Sequence, residues 1–359
     1  MTTYNPANFL ERFVAVEVRA AALVVAAAIT GVLSATLTDF QAHNWLTDLI
    51  SEVAIGGFFL LVGLELRREI ANGTLSGKML RVATLAAGSG MLFPALIFLT
   101  FSPTGAHKGW VAVVATDIAL AAAVSTLGRF RPVLRTMLIT IAVLDDIGGI
   151  AALASTGKSP KLLFVFAVIV VVAAFAWIIQ KFNFGEVFTI CTCALVVVLM
   201  LKAGLHPSLG AFAVGMVVPH FDPDNPSVAE RVEERIHPWV AAVLLPAFIF
   251  LHTLVPLRIP SGAPTSLIYV TVAAIVFGKT IGIGGTLLFV RRSFDIRPSE
   301  AIAIGLAAAA AMTVALIGVA ASISGTDYDE VVSLGVLAAT TIAFVLGILA
   351  GRLRRKTSR

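Results

Sequence analysis

Leu162–Gln180 reads LLFVFAVIVVVAAFAWIIQ, a run of 19 residues with no ionisable side chain. A helix of that length rises about 28 Å, close to the roughly 30 Å of hydrocarbon in a bilayer. In water it would have no polar face to present. In lipid it needs none, because a helix bonds its own backbone N–H and C=O groups.

The rest of the chain repeats this pattern. Apolar stretches of spanning length occur at 14–37, 51–66, 82–101, 110–128, 133–156, 162–180, 186–201, 205–219, 238–257, 266–290, 299–323 and 331–351. The seventh and eighth are short. Only Lys202-Ala203-Gly204 separates them, and they could form one broken element. The first is too long for the apolar region of a signal peptide and has no convincing cleavage site, so it is expected to be retained. Composition agrees. Charged residues are 13% of the 359 and apolar residues 58%, where about 25% charged is usual in soluble proteins. Mean hydropathy is +0.96. A soluble enzyme, a disordered chain and a disulfide scaffold are excluded. Cys191 and Cys193 lie within one apolar run and point to different helix faces, so neither a disulfide nor a metal site is expected of them.

Loop charges orient the chain. With the N-terminus in the cytoplasm and alternating spans, 20 of the 26 Lys and Arg residues fall on the cytoplasmic side, among them Arg67, Arg68, Arg129, Arg131, Arg135, Arg291, Arg292 and Arg352. Lys108, Lys158, Lys161, Lys202 and Arg258 fall outside, and Lys279 lies within a span. This is the positive-inside pattern, with both termini cytoplasmic. The net charge of +5 is therefore an orientation signal, and no basic-aromatic stripe suggests nucleic acid.

Ionisable residues at membrane depth are costly and usually functional. Here they are Asp117, Asp145, Asp146 and Lys279, with Glu52, Glu65, Lys202, His206 and His252 nearer the span ends. Asp145 and Asp146 are adjacent and project about 100° apart on a helix. A carboxylate poised between its two protonation states can hold a proton or a cation, which is what an exchanger requires. Asp117 follows Thr116, whose hydroxyl would complement a carboxylate in holding a hard cation; Asp117 could equally cap a helix start. Lys279 needs a carboxylate partner, in a structural or a functional ion pair. Glu65, Arg68 and Glu69 share one helix face, as do Glu230, Glu233, Glu234 and His237. Both clusters read as solvated charge, or together as a pH-sensitive vestibule. His206 reads as a loop residue, and His43, His107, His220 and His252 show no ligand spacing.

Ala115–Leu120 (ATDIAL) resembles Ala311–Leu316 (AMTVAL), at corresponding places in the three-span units 82–156 and 266–351. The two units begin on opposite sides of the membrane, as an inverted repeat requires. At these residues the chain resembles the NhaA-type Na+/H+ antiporters, a family built on inverted repeats. The matching motifs are Phe58–Glu69 (FFLLVGLELRRE), ATDIAL, Ala142–Gly149 (AVLDDIGG), Lys202–His206 (KAGLH), His237–Val240 (HPWV) and Gly278–Gly282 (GKTIG).

The resemblance implies an all-α polytopic membrane protein of about 12 transmembrane helices, forming one transporter domain over 1–359. Spans four and eleven would be broken and cross at mid-membrane. It implies that Asp145 and Asp146 bind the ion and proton, with Thr116 as a further candidate Na+ ligand. Asp117, Thr116, Lys279 and Thr313 would compensate the partial charges of the broken ends. Glu65, Arg68, Glu69, Glu233 and His237 would form a pH-sensing cluster, and Glu52 falls where the family has an acidic residue. The implied activity is electrogenic, pH-regulated export of cytoplasmic Na+ or Li+ against external H+ across a bacterial-type cell membrane, with no cofactor and no enzymatic reaction. Two departures are visible. Span eleven reads Ala308–Met312 (AAAAM) where the family has a glycine-containing G-x-G-F-T-M-S pattern. The 13-residue link Thr38–Ile50 has no room for the β-hairpin through which relatives dimerise, which leaves a homodimer open. A sodium-coupled solute symporter and a transport-inactive homologue are the alternatives. An intramembrane aspartyl protease has only the two-aspartate minimum in its favour.

Overall fold

The computed structural model describes residues 6–38, 44–71, 77–155, 161–182, 185–205, 207–219, 227–254 and 264–353. Among these there is no β-strand. In chain order the helices are α1 (Pro6–Thr38), α2 (Asn44–Ala71), α3 (Gly77–Phe101), α4 (Trp110–Val114), α5 (Ile118–Leu127), α6 (Pro132–Ser155), α7 (Leu162–Phe182) and α8 (Glu186–Ala203). They continue with α9 (Pro207–Val217), α10 (Val228–Trp239), α11 (Leu245–His252), α12 (Ser266–Ala273), α13 (Gly285–Phe294), α14 (Pro298–Ala308), α15 (Thr313–Ser322) and α16 (Asp329–Leu353). Wide π turns at Val240–Leu244, Ala274–Gly278 and Thr280–Gly284 join α10 to α11 and α12 to α13. Eight continuous helices are long and apolar enough to cross a membrane, and ten spans result when each of two bent pairs counts as one. The expected twelve would also require α6, of 24 residues, and α9, of 11.

Helices overrun the apolar stretches that announce them. The α2 helix begins seven residues before 51 and ends five after 66, because backbone hydrogen bonding continues where the side chains turn polar. Between the seventh and eighth stretches the chain is cut. Gly204 takes a left-handed conformation (φ 78°), its N–H donates to the Leu201 carbonyl, and Pro207 opens α9. That is a helix stop followed by a helix start, two elements and not one. His206 and the link 39–43 lie outside the described residues.

The chain divides into two compact units. The first comprises Met1–Asp39, Gly77–Gly149 and His252–Arg359. Within it two helix pairs are sharply bent at short breaks. The segment Thr104–Val114, which ends in α4, meets α5 at 55° across residues 115–117, and α14 meets α15 at 48° across 309–312. At the first break Ala115 and Asp117 are extended, and the Asp117 side chain accepts from Leu120 N as an N-cap, a role that competes with helix continuation. At the second break Met312 has φ −121° and ψ −55°. No residue there has positive φ. The missing family glycines are therefore not required at this break: the backbone turns without entering the left-handed region. What the position needs is small size, and Ala307–Ala311 are all at most 1% exposed.

The stretch from α12 to α13 lies against α3 through glycines. A Cβ on Gly278 would strike the backbone of Pro94, and one on Gly282 the backbone of Ser89. The Ser89 hydroxyl also donates to the Gly282 carbonyl (2.9 Å) and lies 2.8 Å from Thr286 Oγ1. These contacts hold the π turns on either side of Lys279 in register; π turns are rare and concentrate at functional sites.

The second unit comprises Phe40–Ser76 and Ile150–Leu251. Its α2 and α9 cross where Gly63 faces Gly215, so close that a Cβ on either would meet the other helix's backbone. The α10 helix starts with a capping box, Ser227 and Glu230 exchanging bonds with each other's backbone N–H. Replacing Gly215 by Val should force α2 and α9 apart and cost about 2–3 kcal/mol, the scale of overpacking. A melting temperature in detergent unchanged from that of the parent protein would contradict this crossing.

Candidate functional site

Both breaks belong to the first unit, and they are bonded to each other. Asp117 Oδ1 accepts from Leu120 N (3.2 Å), in the first turn of α5. Its Oδ2 accepts from Thr313 N (3.1 Å), the first residue of α15. One carboxylate thus caps two helix N-termini, each carrying about half a positive charge. The sequence left capping and function open for Asp117; its geometry is that of a cap, shared between two helices.

The opposite ends expose carbonyls. Lys279 Nζ donates to the Val114 carbonyl at the end of α4 (2.7 Å), to Thr116 Oγ1 (2.8 Å) and to Asp145 Oδ2 (2.7 Å). An ammonium has three protons, and all three are used. Thr116 Oγ1 lies 2.5 Å from Asp145 Oδ2 and 3.1 Å from the Ala308 carbonyl at the end of α14. Its single hydrogen can serve only one acceptor at a time, and the charged, nearer Asp145 is the stronger. On the far side, Thr340 Oγ1 of α16 donates to the Ala311 carbonyl (2.6 Å).

Lys279 and Asp145 are both 0% exposed, Asp146 1% and Asp117 5%. Removing two opposite charges from water is expensive, and the pair persists because hydrogen bonds from the surrounding polar groups add to its direct attraction. Asp145 Oδ1 accepts no hydrogen bond from the described residues, so one lone-pair face of that carboxylate is not committed to the network. The gathered donor set is carboxylate, hydroxyl and backbone carbonyl oxygen, which suits a hard cation.

The structure brings together Thr116, Asp117, Asp145, Lys279 and Thr313, with Asp146 one residue along α6. The sequence missed the Val114, Ala308 and Ala311 carbonyls, which no side-chain pattern reports. It also missed Ser89 and Thr340, ordinary hydroxyls in apolar helices. In the second unit Arg68 Nη1 donates to Glu233 Oε1 (2.5 Å) and Nη2 lies 3.6 Å from Glu65, all three side chains being under 20% exposed. His237 is half-buried four residues after Glu233, and the Glu69 side chain lies outside the described residues. Lys202 is exposed.

A family model described as Na+/H+ antiporter 1 matches residues 14–351. The chain belongs to this antiporter family. The Na(+)/H(+) antiporter NhaA of Serratia proteamaculans is 33% identical to it over 324 residues, covering 84% of this chain and 81% of that protein. NhaA 2 of Frankia alni is 34% identical over 337 residues, covering 87% and 68%. Among solved structures, the sodium proton antiporter MjNhaP1 from Methanocaldococcus jannaschii superposes with a TM-score of 0.59 over 92% of this chain and 91% of that one, at 14% identity, a likeness of fold. This member of the Na+/H+ antiporter 1 family is thus a multi-pass, all-α membrane protein.

Asp117→Ala should leave two buried N–H groups without acceptors and cost about 2–4 kcal/mol. Asp117→Asn, which keeps an acceptor, should cost less. Equal melting temperatures for the two variants would show that the cap contributes little.

Proposed function

We propose that this protein exchanges cytoplasmic Na+ (or Li+) for external H+, with Asp145 and Asp146 as the shared site. The observation that carries the reading is the buried Lys279–Asp145 pair bonded to the first helix break through the Val114 carbonyl and Thr116. An ion pair at this depth costs more than an apolar core would, which favours a functional role for it.

The chemistry follows from competition. A cation approaching Asp145 and Asp146 competes with the protons these carboxylates can hold, and at Asp145 with the ammonium of Lys279. Facing the cytoplasm, the two deprotonated aspartates take Na+. After the site turns outward, protons displace it. Thr116, already bonded to Asp145, is placed to add a neutral oxygen, and Asp117 keeps the two helix N-termini neutralised throughout. With two protons per Na+, each cycle moves one net charge, worth about 2.3 kcal/mol per 100 mV of membrane potential. The partly buried Arg68–Glu233–Glu65 group, with His237 four residues after Glu233, supports a pH-responsive element, since water screens a change of charge there less than at an exposed surface. The cell membrane as location, cytoplasmic termini and the twelve-span topology complete the proposal, on the loop-charge asymmetry.

Asp146→Asn should abolish exchange with expression intact. Everted vesicles energised to an acid interior and challenged with NaCl or LiCl measure this directly. Dequenching of a pH dye at near wild-type amplitude in the variant would refute the site.

A further inference from the structure

The breaks make a thin joint. At residues 115–117 and 309–312 the contact is slight: Asp117, the N-cap of α5, accepts from Thr313 N of α15, and Thr116 Oγ1 lies 3.1 Å from the Ala308 carbonyl at the end of α14, so unwound backbone on either side offers freedom to swivel. Each of the two then runs away from the joint for 10 and 11 residues, about 15 Å. Two rods pinned at one end only would scissor.

Their far ends are also pinned. Arg131, in the loop after α5, donates through Nη2 to Glu300 Oε2 (2.8 Å) and to the Asp295 carbonyl (2.8 Å). Glu300 is 3% exposed, sits in the first turn of α14 and accepts from Arg297 N as well (2.9 Å). Among the described residues, non-glycine positive φ occurs only at Arg129 and Asp295, one in each of the two loops that Arg131 joins. Such conformations persist where surroundings over-determine them. A third rod is tied at both levels. The α16 helix bonds the break through Thr340 and the Ala311 carbonyl, and the far end through Arg352 Nε and the Leu127 carbonyl (3.0 Å). Between those ties, a Cβ on Gly351 would strike the Gly128 backbone.

We propose that Arg131 is a positioning residue for exchange: by tying the loop after α5 to the first turn of α14, it closes a truss of α5, α14 and α16 and makes the two interrupted spans move as one piece. The assignment rests on the alternating-access reading above, and it concerns neither ion ligation nor the pH-responsive cluster. Without the tie, motion is lost to scissoring at the breaks, so turnover falls while the site's affinity for Na+ is kept.

The test uses full-length protein with Cys191→Ala and Cys193→Ala, which removes the native thiols of α8. In that background Arg131→Cys with Asp295→Cys should lower the maximal exchange rate per folded protein about three- to tenfold, the Na+ KM staying within about twofold. A bis-maleimide of an arginine's reach, bridging the two cysteines, should restore most of the rate. A merely stabilising role would raise melting temperature on cross-linking without restoring turnover. A double variant at full speed, or one that the bridge leaves slow, overturns the proposal. A second measurement does not depend on transport: spin labels replacing the exposed Arg129 and Ser299 should give one narrow distance distribution in Na+ and in acid alike, broadened by Arg131→Gln. A distribution that splits between the two conditions with Arg131 present also overturns it. Full exchange by Asp146→Asn would overturn the ion-site reading alone and leave these distances standing.

Discussion

A helix that stops inside hydrocarbon leaves its last backbone groups without partners, and no water is present to take them. Residues 115–117 and 309–312 create four such ends. Each unsatisfied group would cost several kcal/mol in lipid. The first unit answers with matched chemistry. The Asp117 carboxylate sits on the two N-termini; the Lys279 ammonium donates to the Val114 carbonyl and the Thr340 hydroxyl to that of Ala311. The buried ion pair takes its position from that pairing. Lys279 can lie at this depth because Asp145 and the Val114 carbonyl are there, and Asp145 can stay buried because Lys279 and Thr116 meet one of its oxygens.

Holding those groups in place requires backbones closer than ordinary side chains allow. Gly278 and Gly282 bring the α12–α13 stretch against Pro94 and Ser89 of α3, and the alanines from 307 to 311 let the second break pass through a filled core. Packing at this density transmits displacement, because few voids absorb it. The same closeness occurs between α2 and α9 in the second unit, where Gly63 and Gly215 face each other without polar cargo. Small residues there serve helix packing alone, as they commonly do in membranes.

The residues of the site were legible because the membrane makes them conspicuous. In a chain where apolar side chains are 58% of the total, Asp117, Asp145, Asp146 and Lys279 stand out by cost alone. Their motifs then pointed to the family. The partners of Asp117 were not legible: a helix cap and a ligand use the same side chain, and only coordinates distinguish them. Nor was the tolerance of AAAAM. A missing glycine looks like a missing break, yet this break turns with negative φ and asks for small volume, which alanine supplies. Arg131 read as one more orienting positive charge, although it spans to a buried glutamate 169 residues away.

Sequence by itself determined the class of solvent, the approximate spans, the orientation signal and the short roster of membrane-depth charges. All of these are properties of single residues or of neighbours along the chain, and burial cost is read one residue at a time. Tertiary structure decided which charges meet, which carbonyls they meet, and that two loops far apart in the chain share one arginine. Those pairings join residues 134 to 196 positions apart in the chain. Nothing local fixes them, because a donor's requirement can be met by any acceptor that the packing of small residues brings within reach.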